Sequence, residues 1–357
     1  MDDQEQYYQA EEAFNGELVK PQIVKPLITY ALLGINVIMF LLTYGYSLLN
    51  KVDINYANYI FGEKVNSLIM QGEFWRLFVP IFLHGGIMHL AINSYSLYAV
   101  GPTVEKIFGR RKFLIIYLIG GVTGNIASFL FSINPSVGAS GAIFGLMGAL
   151  LYLLQKNKGV IKSSFGTSLI VIIVINLVYG FSNTGIDNFA HLGGLVGGFL
   201  SASALGFAWE RRKDNKRIIF WLMILCLSLG GLYFGFTSSN NVSTNLLDQA
   251  SKSFGNHDYN KTEELAHRVE KLGLNNNGIK ADMYYLLAAS LINQGAPQQA
   301  FEYAQKLVEI DAKRGHYILG VYYLNTKNNT LAKQELQKAY DLDPGNTVIR
   351  DILSKLK

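Results

Sequence analysis

A serine sits among small residues in "GASGAIFG", residues 138–145, as Ser140. A histidine stands in "AHLGGLVGG" as His191, and a further histidine and an asparagine, His89 and Asn93, close the string "HGGIMHLAIN", which opens with His84. A hydroxyl is a weak nucleophile until a base takes its proton, and neutral imidazole does that near pH 7. Ser140 and His191 therefore form a candidate nucleophile and base. Such chemistry also needs hydrogen-bond donors for the oxyanion that develops on an attacked carbonyl. His89 and Asn93 are four apart, share one helix face, and can both donate to one oxygen. If Ser140 opens a helix, its own N–H lacks an intrahelical acceptor and becomes a third donor, aided by the positive end of the helix dipole. Gly138, Ala139 and Gly141 leave room for a substrate backbone. Phe144, one turn beyond Ser140, is placed to pack on the His191 ring.

The elements that must position these residues read as membrane spans. The chain has 357 residues, 50% of them hydrophobic. Seven stretches lack charge or nearly so, near 27–49, 82–104, 113–132, 138–155, 166–183, 188–208 and 218–237. Each is about twenty residues, enough for a hydrocarbon core of ~30 Å. The acidic start "MDDQEQYYQAEEAFNGELVK" has no basic region and no apolar core, so it reads as a cytoplasmic tail and not as a cleavable signal. Lys106, Arg110, Arg111 and Lys112 follow the second span; Lys156, Lys158 and Lys162 follow the fourth; Arg211, Arg212, Lys213, Lys216 and Arg217 follow the sixth. The turns at 133–137 and 184–187 carry no Lys or Arg. This alternation puts the N-terminus inside and, after seven crossings, the C-terminal region outside. Spans two, four and six then start at one depth in the outer half of the bilayer, which is where His84, His89, Asn93, Ser140 and His191 fall.

Other readings compete. The net charge of +5 suits nucleic acid, but residues 240–357 hold 14 basic and 13 acidic side chains, so there is no basic footprint and no nucleic-acid partner is expected. Cys226 is the only cysteine, which excludes a disulfide within the chain. A membrane serine often bonds back to a carbonyl, an asparagine often joins helices, and a histidine often only packs; His84 has a structural reading of this kind. Three histidines could hold a metal, but there is no HExxH, the spacing of His84 and His89 puts them on different helix faces, and Asp187 is the one carboxylate nearby. No metal or other cofactor is expected. A transporter would place its polar groups at the midplane of an inverted repeat, and neither feature is evident. A membrane adaptor or chaperone with a silent site, binding clients through its C-terminal region, stays open as the alternative.

The chain resembles the rhomboid family of intramembrane serine proteases across residues 27–208. "GASGAIFG" is similar to the family's nucleophile motif, "AHLGGLVGG" to its histidine motif and "HGGIMHLAIN" to its second-helix motif. "EFWRLFVPIFLH" carries the Trp75–Arg76 pair of the family's first loop, and "VEKIFGRRKF" resembles the stretch after the second helix, with Glu105 and Gly109 structural. The resemblance implies Ser140 and His191 as a catalytic dyad and His89, Asn93 and the Ser140 N–H as the oxyanion hole. Gly138, Phe144, His84, Trp75 and Arg76 support them. It also implies transmembrane protein substrates cut near the outer face.

Beyond the spans, Leu287, Ala288, Leu291, Ala300, Ala304 and Leu307 recur 32 residues later as Leu319, Gly320, Tyr323, Ala332, Leu336 and Ala339. Phe254, Ala266 and Leu274 mark a weaker earlier copy, and "DLDPGN" closes the last. The pattern resembles tetratricopeptide repeats, arrays that offer a concave surface to a protein or peptide. The expected architecture is all-α: a cytoplasmic tail over 1–26, a six-helix rhomboid-like bundle in membrane lipid over 27–208, a basic loop and seventh span over 209–238, and an extracellular repeat solenoid over 239–357. Residues 237–245, "TSSNNVSTN", are expected to be a short polar linker.

Overall fold

Long apolar runs fold into helices here because a helix satisfies its own backbone, the condition for crossing lipid. The structure, a computed structural model, describes residues 25–183, 185–210, 215–273 and 275–356. The acidic tail through residue 24, Arg211, Arg212, Lys213 and Leu274 lie outside the described residues. Two compact units emerge, one through Phe236 and one over Thr237–Lys357.

In the first unit the helices are α1 (Leu27–Asn50), α2 (Ile54–Phe61), α3 (Asn66–Met70), α4 (Ile87–Phe108), α5 (Arg110–Phe131), α6 (Ser140–Lys156), α7 (Lys158–Ile161), α8 (Ser164–Phe181), α9 (Asn188–Leu205) and α10 (Arg217–Thr237). By length and composition α1, α5, α8 and α10 can each cross a membrane. The other three long helices, α4, α6 and α9, are shorter or interrupted by polar residues, and they carry His89, Asn93, Ser140, Phe144 and His191. They sit inside. On α6 every residue from Gly141 to Leu154 except Leu151 is buried. On α10 only 11% of the apolar window is buried, so that helix presents its side chains outward.

Close packing of α6 on α9 depends on glycine. A Cβ on Gly194 would overlap the Gly141 carbonyl, and one on Gly198 would overlap the Gly145 carbonyl. The i, i+4 glycines of both helices thus let the backbones touch, where dispersion replaces the hydrophobic drive that lipid lacks. Thr123 Oγ1 on α5 adds a bond to the Gly193 carbonyl at 3.0 Å.

The start of α1 is held by a buried carboxylate. Glu105 on α4 is fully buried and accepts from Ile28 N and Thr29 N at 3.0 and 2.8 Å and from Thr29 Oγ1 at 2.8 Å. These are donors that a helix N-terminus leaves without partners. The same end of the helix dipole favours a negative charge.

The second span starts later than its apolar run. Residues 74–77 and 79–82 form two 3₁₀ turns, and α4 begins only at Ile87, past Pro80 and the Gly85–Gly86 pair. It runs on to Phe108, where Gly109 at φ 78° ends it.

The second unit is an α-solenoid: α11 (Ser239–Gly255), α12 (Tyr259–Glu270), α13 (Asn277–Asn293), α14 (Pro297–Ile310), α15 (Ala312–Asn325), α16 (Asn329–Leu342) and α17 (Thr347–Lys355). The starts of α14 and α16 stand 32 residues apart, the sequence period. Ala300, Ala304 and Leu307 on one, and Ala332, Leu336 and Ala339 on the other, are fully buried. The expected polar linker is instead helical from Ser239. Its Ser243, Leu246, Leu247 and Ala250 are buried at helical spacing, a stripe that the polar residues around it mask.

Candidate active site

Ser140 is the first residue of α6, with Ala139 as its N-cap. The first intrahelical bond is Ile143 N to the Ala139 carbonyl, so the Ser140 N–H has no acceptor within the helix. Before it, Gly138 adopts φ 135°, a region that only glycine enters freely, and its N–H bonds the Pro80 carbonyl at 2.9 Å. The sequence expects the span to begin at 138; the positive φ is what delays the helix to Ser140.

His191 lies one turn into α9. Asp187 caps that helix, its Oδ1 accepting from Ala190 N at 3.0 Å. His191 Nε2 lies 2.9 Å from Ser140 Oγ. The two residues are 51 apart in sequence and on different helices, so tertiary packing makes the pair. Phe144 stacks on the His191 ring, centroids 4.3 Å apart and planes 8° from parallel. Such a stack contributes ~1 kcal/mol and fixes the ring plane. For Nε2 to take the serine proton, Nδ1 must carry the other; Nδ1 is buried and has no hydrogen-bond partner among the described residues.

His89 and Asn93 sit on the first turns of α4. The Gly85 N–H donates to His89 Nδ1 at 3.3 Å. A backbone N–H can only donate, so Nδ1 is the bare nitrogen and the ring proton is on Nε2. That Nε2 looks across at Gly138. A Cβ on Gly138 would lie 2.8 Å from His89 Nε2 and 3.8 Å from Asn93 Nδ2. The absent side chain therefore opens a niche two residues before Ser140, with two side-chain donors facing it. One Asn93 N–H is engaged with the His89 carbonyl at 3.0 Å, which leaves its second for a ligand.

His84 is placed otherwise than helical spacing implies. It precedes α4, so the helix-face argument that separated it from His89 does not hold. The two rings meet edge to face at 5.3 Å, with His84 fully buried and both its nitrogens without a hydrogen-bond partner among the described residues. Its carbonyl accepts from Asn58 Nδ2 at 3.1 Å, which ties α2 to the start of α4. Trp75 and Arg76 lie in the first 3₁₀ turn, away from the Ser140–His191 pair. Arg76 is 4% exposed, bonds the Tyr59 and Glu63 carbonyls at 2.9 Å each, pairs with Glu73 and lies 4.7 Å from the Trp75 ring centroid. The pair organises the loop.

Sequence reasoning passed over the polar residues that hold this loop to the bundle. Asn125 Nδ2 on α5 donates to the Leu77 carbonyl at 3.0 Å, and Asn66 Nδ2 donates to the Ser132 carbonyl at 2.9 Å. Lys64 is fully buried. None belongs to a periodic pattern; a lone lysine in a polar loop is ordinarily solvated, and that is the reading its neighbours invite.

Residues 71–207 match the Rhomboid domain, and residues 281–314 and 314–346 each match a Tetratricopeptide repeat. Over 302 residues the chain is 40% identical to rhomboid protease GluP of Bacillus subtilis (strain 168), a match covering 84% of this chain and 58% of that one. To YdcA of the same organism it is 36% identical over 150 residues, 42% of this chain and 73% of YdcA. To RHOMBOID-like protein 9, chloroplastic, of Arabidopsis thaliana it is 42% identical over 144 residues, 40% of this chain and 33% of the relative. The chain thus spans little more than half of the first relative and a third of the plant one.

Proposed function

The chain belongs to the rhomboid family, and from that premise we propose that it is an intramembrane serine endopeptidase cutting transmembrane segments of membrane proteins. The observation that carries the reading is the 2.9 Å approach of His191 Nε2 to Ser140 Oγ at the partly buried start of a helix. In this mechanism Ser140 Oγ attacks the scissile carbonyl carbon and its proton passes to His191 Nε2. The oxyanion sits in the niche beside Gly138, among His89 Nε2–H, the free Asn93 N–H and the Ser140 N–H. The carbon–nitrogen bond breaks, and the imidazolium returns its proton to the leaving amine. Water then attacks the acyl-enzyme, giving up a proton to His191, and the freed Ser140 regains its own. Substrate must unwind near the site, because a helix keeps its carbonyls engaged.

The test is labelling by a serine-reactive fluorophosphonate, with cleavage of a tagged transmembrane substrate by detergent-purified protein. Both are expected, with the label on Ser140. Absence of both would leave the adaptor reading, in which the repeats hold clients and the bundle does no chemistry.

The orientation follows from the charged loops. Lys106, Arg110, Arg111 and Lys112 belong on the cytoplasmic side, so the site opens outward and the repeats stand outside the cell. There the solenoid would capture the extracellular part of a substrate or of a partner protein, raising its effective concentration near the membrane into the ~mM range. A cysteine at the exposed Ser251, in a Cys226→Ser background, is expected to react with an impermeant maleimide on intact cells. Reaction only after lysis would invert the topology and end the extracellular-capture idea.

A further inference from the structure

Lys64 lies between α2 and α3 and is fully buried. Burying an ammonium costs several kcal/mol, which its surroundings must offset. Its Nζ donates to the Asn134 carbonyl at 2.8 Å and to the Ser132 carbonyl at 3.1 Å. Its backbone pairs with Ser136 in an antiparallel bridge, at 3.0 Å for Lys64 N to Ser136 O and 3.1 Å for the reverse bond. Asn66, two residues on, holds the Ser132 and Phe129 carbonyls. The first loop therefore grips residues 132–136 from end to end. Pro80 takes the Gly138 N–H, and two residues later comes Ser140.

The histidine is hung from the same place. Asp187, which caps the helix of His191, accepts through Oδ2 from Ser128 Oγ, one turn before Ser132 on α5. The end of α5 is thus the shared anchor. Asp187 fastens the base to it, and Lys64 fastens the turn that leads to the nucleophile.

We propose that Lys64 is a positioning residue: its buried ammonium clamps the 132–136 turn to the first loop and so sets where Ser140 Oγ stands relative to His191 Nε2. The inference rests on the proteolytic reading of that pair. An apolar side chain of the same length would fill the space and drop both carbonyls. The turn would then be free to shift, and a shift of an ångström at a nucleophile costs far more in rate than in stability.

Protonation bears on the clamp. Burial pulls the Lys64 ammonium down to about 8, against the opposing pull of Asp187 and Glu63. The charged groups around it are Glu63 and Arg76 of the same loop and Asp187 at the start of α9. The end of α5 and the 132–137 turn supply only carbonyls and neutral side chains. Burial pushes Glu63 up to about 7, so above pH 8 it is ionised and favours the ammonium. Deprotonation of Lys64 replaces two charge-assisted bonds with weaker neutral ones. Arginine is not deprotonated in this range.

The experiment measures fluorophosphonate labelling rate, kcat and KM from pH 7 to 9.5 for wild type, Lys64→Met, Lys64→Gln and Lys64→Arg, with thermal midpoints in detergent. For Lys64→Met a fall in kcat of at least ~10-fold is expected, with KM within ~3-fold, since the clamp touches no substrate. Lys64→Arg should recover part of kcat and lose the decline that wild type shows as pH rises through about 8. If Lys64→Met does not fold, Lys64→Gln keeps N–H donors without charge and should show the same loss at smaller amplitude. Wild-type kcat and an unaltered pH profile in folded Met or Gln variants would overturn the clamp alone. A wild type that neither labels nor cleaves would overturn the proteolytic reading, and the clamp with it.

Discussion

Ser140→Ala and His191→Ala are each expected to abolish cleavage, with losses of at least ~10⁴-fold in kcat. The expectation follows from the geometry of one hydrogen bond. His191 Nε2 meets Ser140 Oγ at 2.9 Å, and among the described residues no other base bonds that oxygen. Without the hydroxyl no acyl-enzyme forms; without the imidazole the hydroxyl keeps its proton. The two residues act as a unit, so the double variant should lose no more than either single one. Fluorophosphonate labelling should vanish in Ser140→Ala. Stability should move little for that variant, since one partly buried hydroxyl with a single partner contributes ~1 kcal/mol. His191→Ala removes the ring stacked on Phe144, and its thermal midpoint should drop further. Purified variants assayed on one tagged substrate decide the matter. Near-wild-type turnover by either would remove the dyad from the mechanism.

Gly138→Ala is expected to cost ~10²- to 10³-fold in kcat, the loss typical of a disabled oxyanion donor. Two causes act together. The new Cβ would come within 2.8 Å of His89 Nε2 and 3.0 Å of its Cε1, in the niche proposed for the oxyanion. The backbone at φ 135° is also strained for alanine, which costs on the order of 1–3 kcal/mol and pushes on the residue next to Ala139. Gly85→Ala is the control. It too lies beside His89, but its Cβ would have no neighbour closer than 3.7 Å, and its φ is not in the strained region. It should keep most of the wild-type kcat. Equal activities for the two variants would place the oxyanion somewhere other than beside Gly138.

Much of this was open to a reader of the chain alone. Crossing lipid imposes length and apolarity, so the spans are legible wherever hydropathy is unbroken, as in α1, α5, α8 and α10. The chemistry was legible for the complementary reason. Polar residues inside membrane spans are costly, so Ser140, His191, His89 and Asn93 stand out from their surroundings. The repeats were legible because one supersecondary unit recurs with its small residues in place, as Ala300 and Ala332 do. Where pattern failed, it failed on polarity. "SSNNVSTN" looks like a linker, yet Ser243, Leu246, Leu247 and Ala250 bury one helical face.

Composition and spacing determined which residues are the candidates for chemistry, and that they belong to three separate spans. Only the tertiary structure decided how they meet. Nothing local relates Ser140 to His191: their 2.9 Å separation exists because glycines on α6 and α9 let two backbones touch. Nothing local tells Lys64 from a solvated lysine, because burial is a property of what folds over a residue. Its side chain ends on the carbonyls of Ser132 and Asn134, some seventy residues on, at a place that exists only once α5 has packed beside the first loop. A periodic pattern reports what a segment does with its own neighbours; contacts between distant segments leave no such period, and a single sequence carries no other record of them.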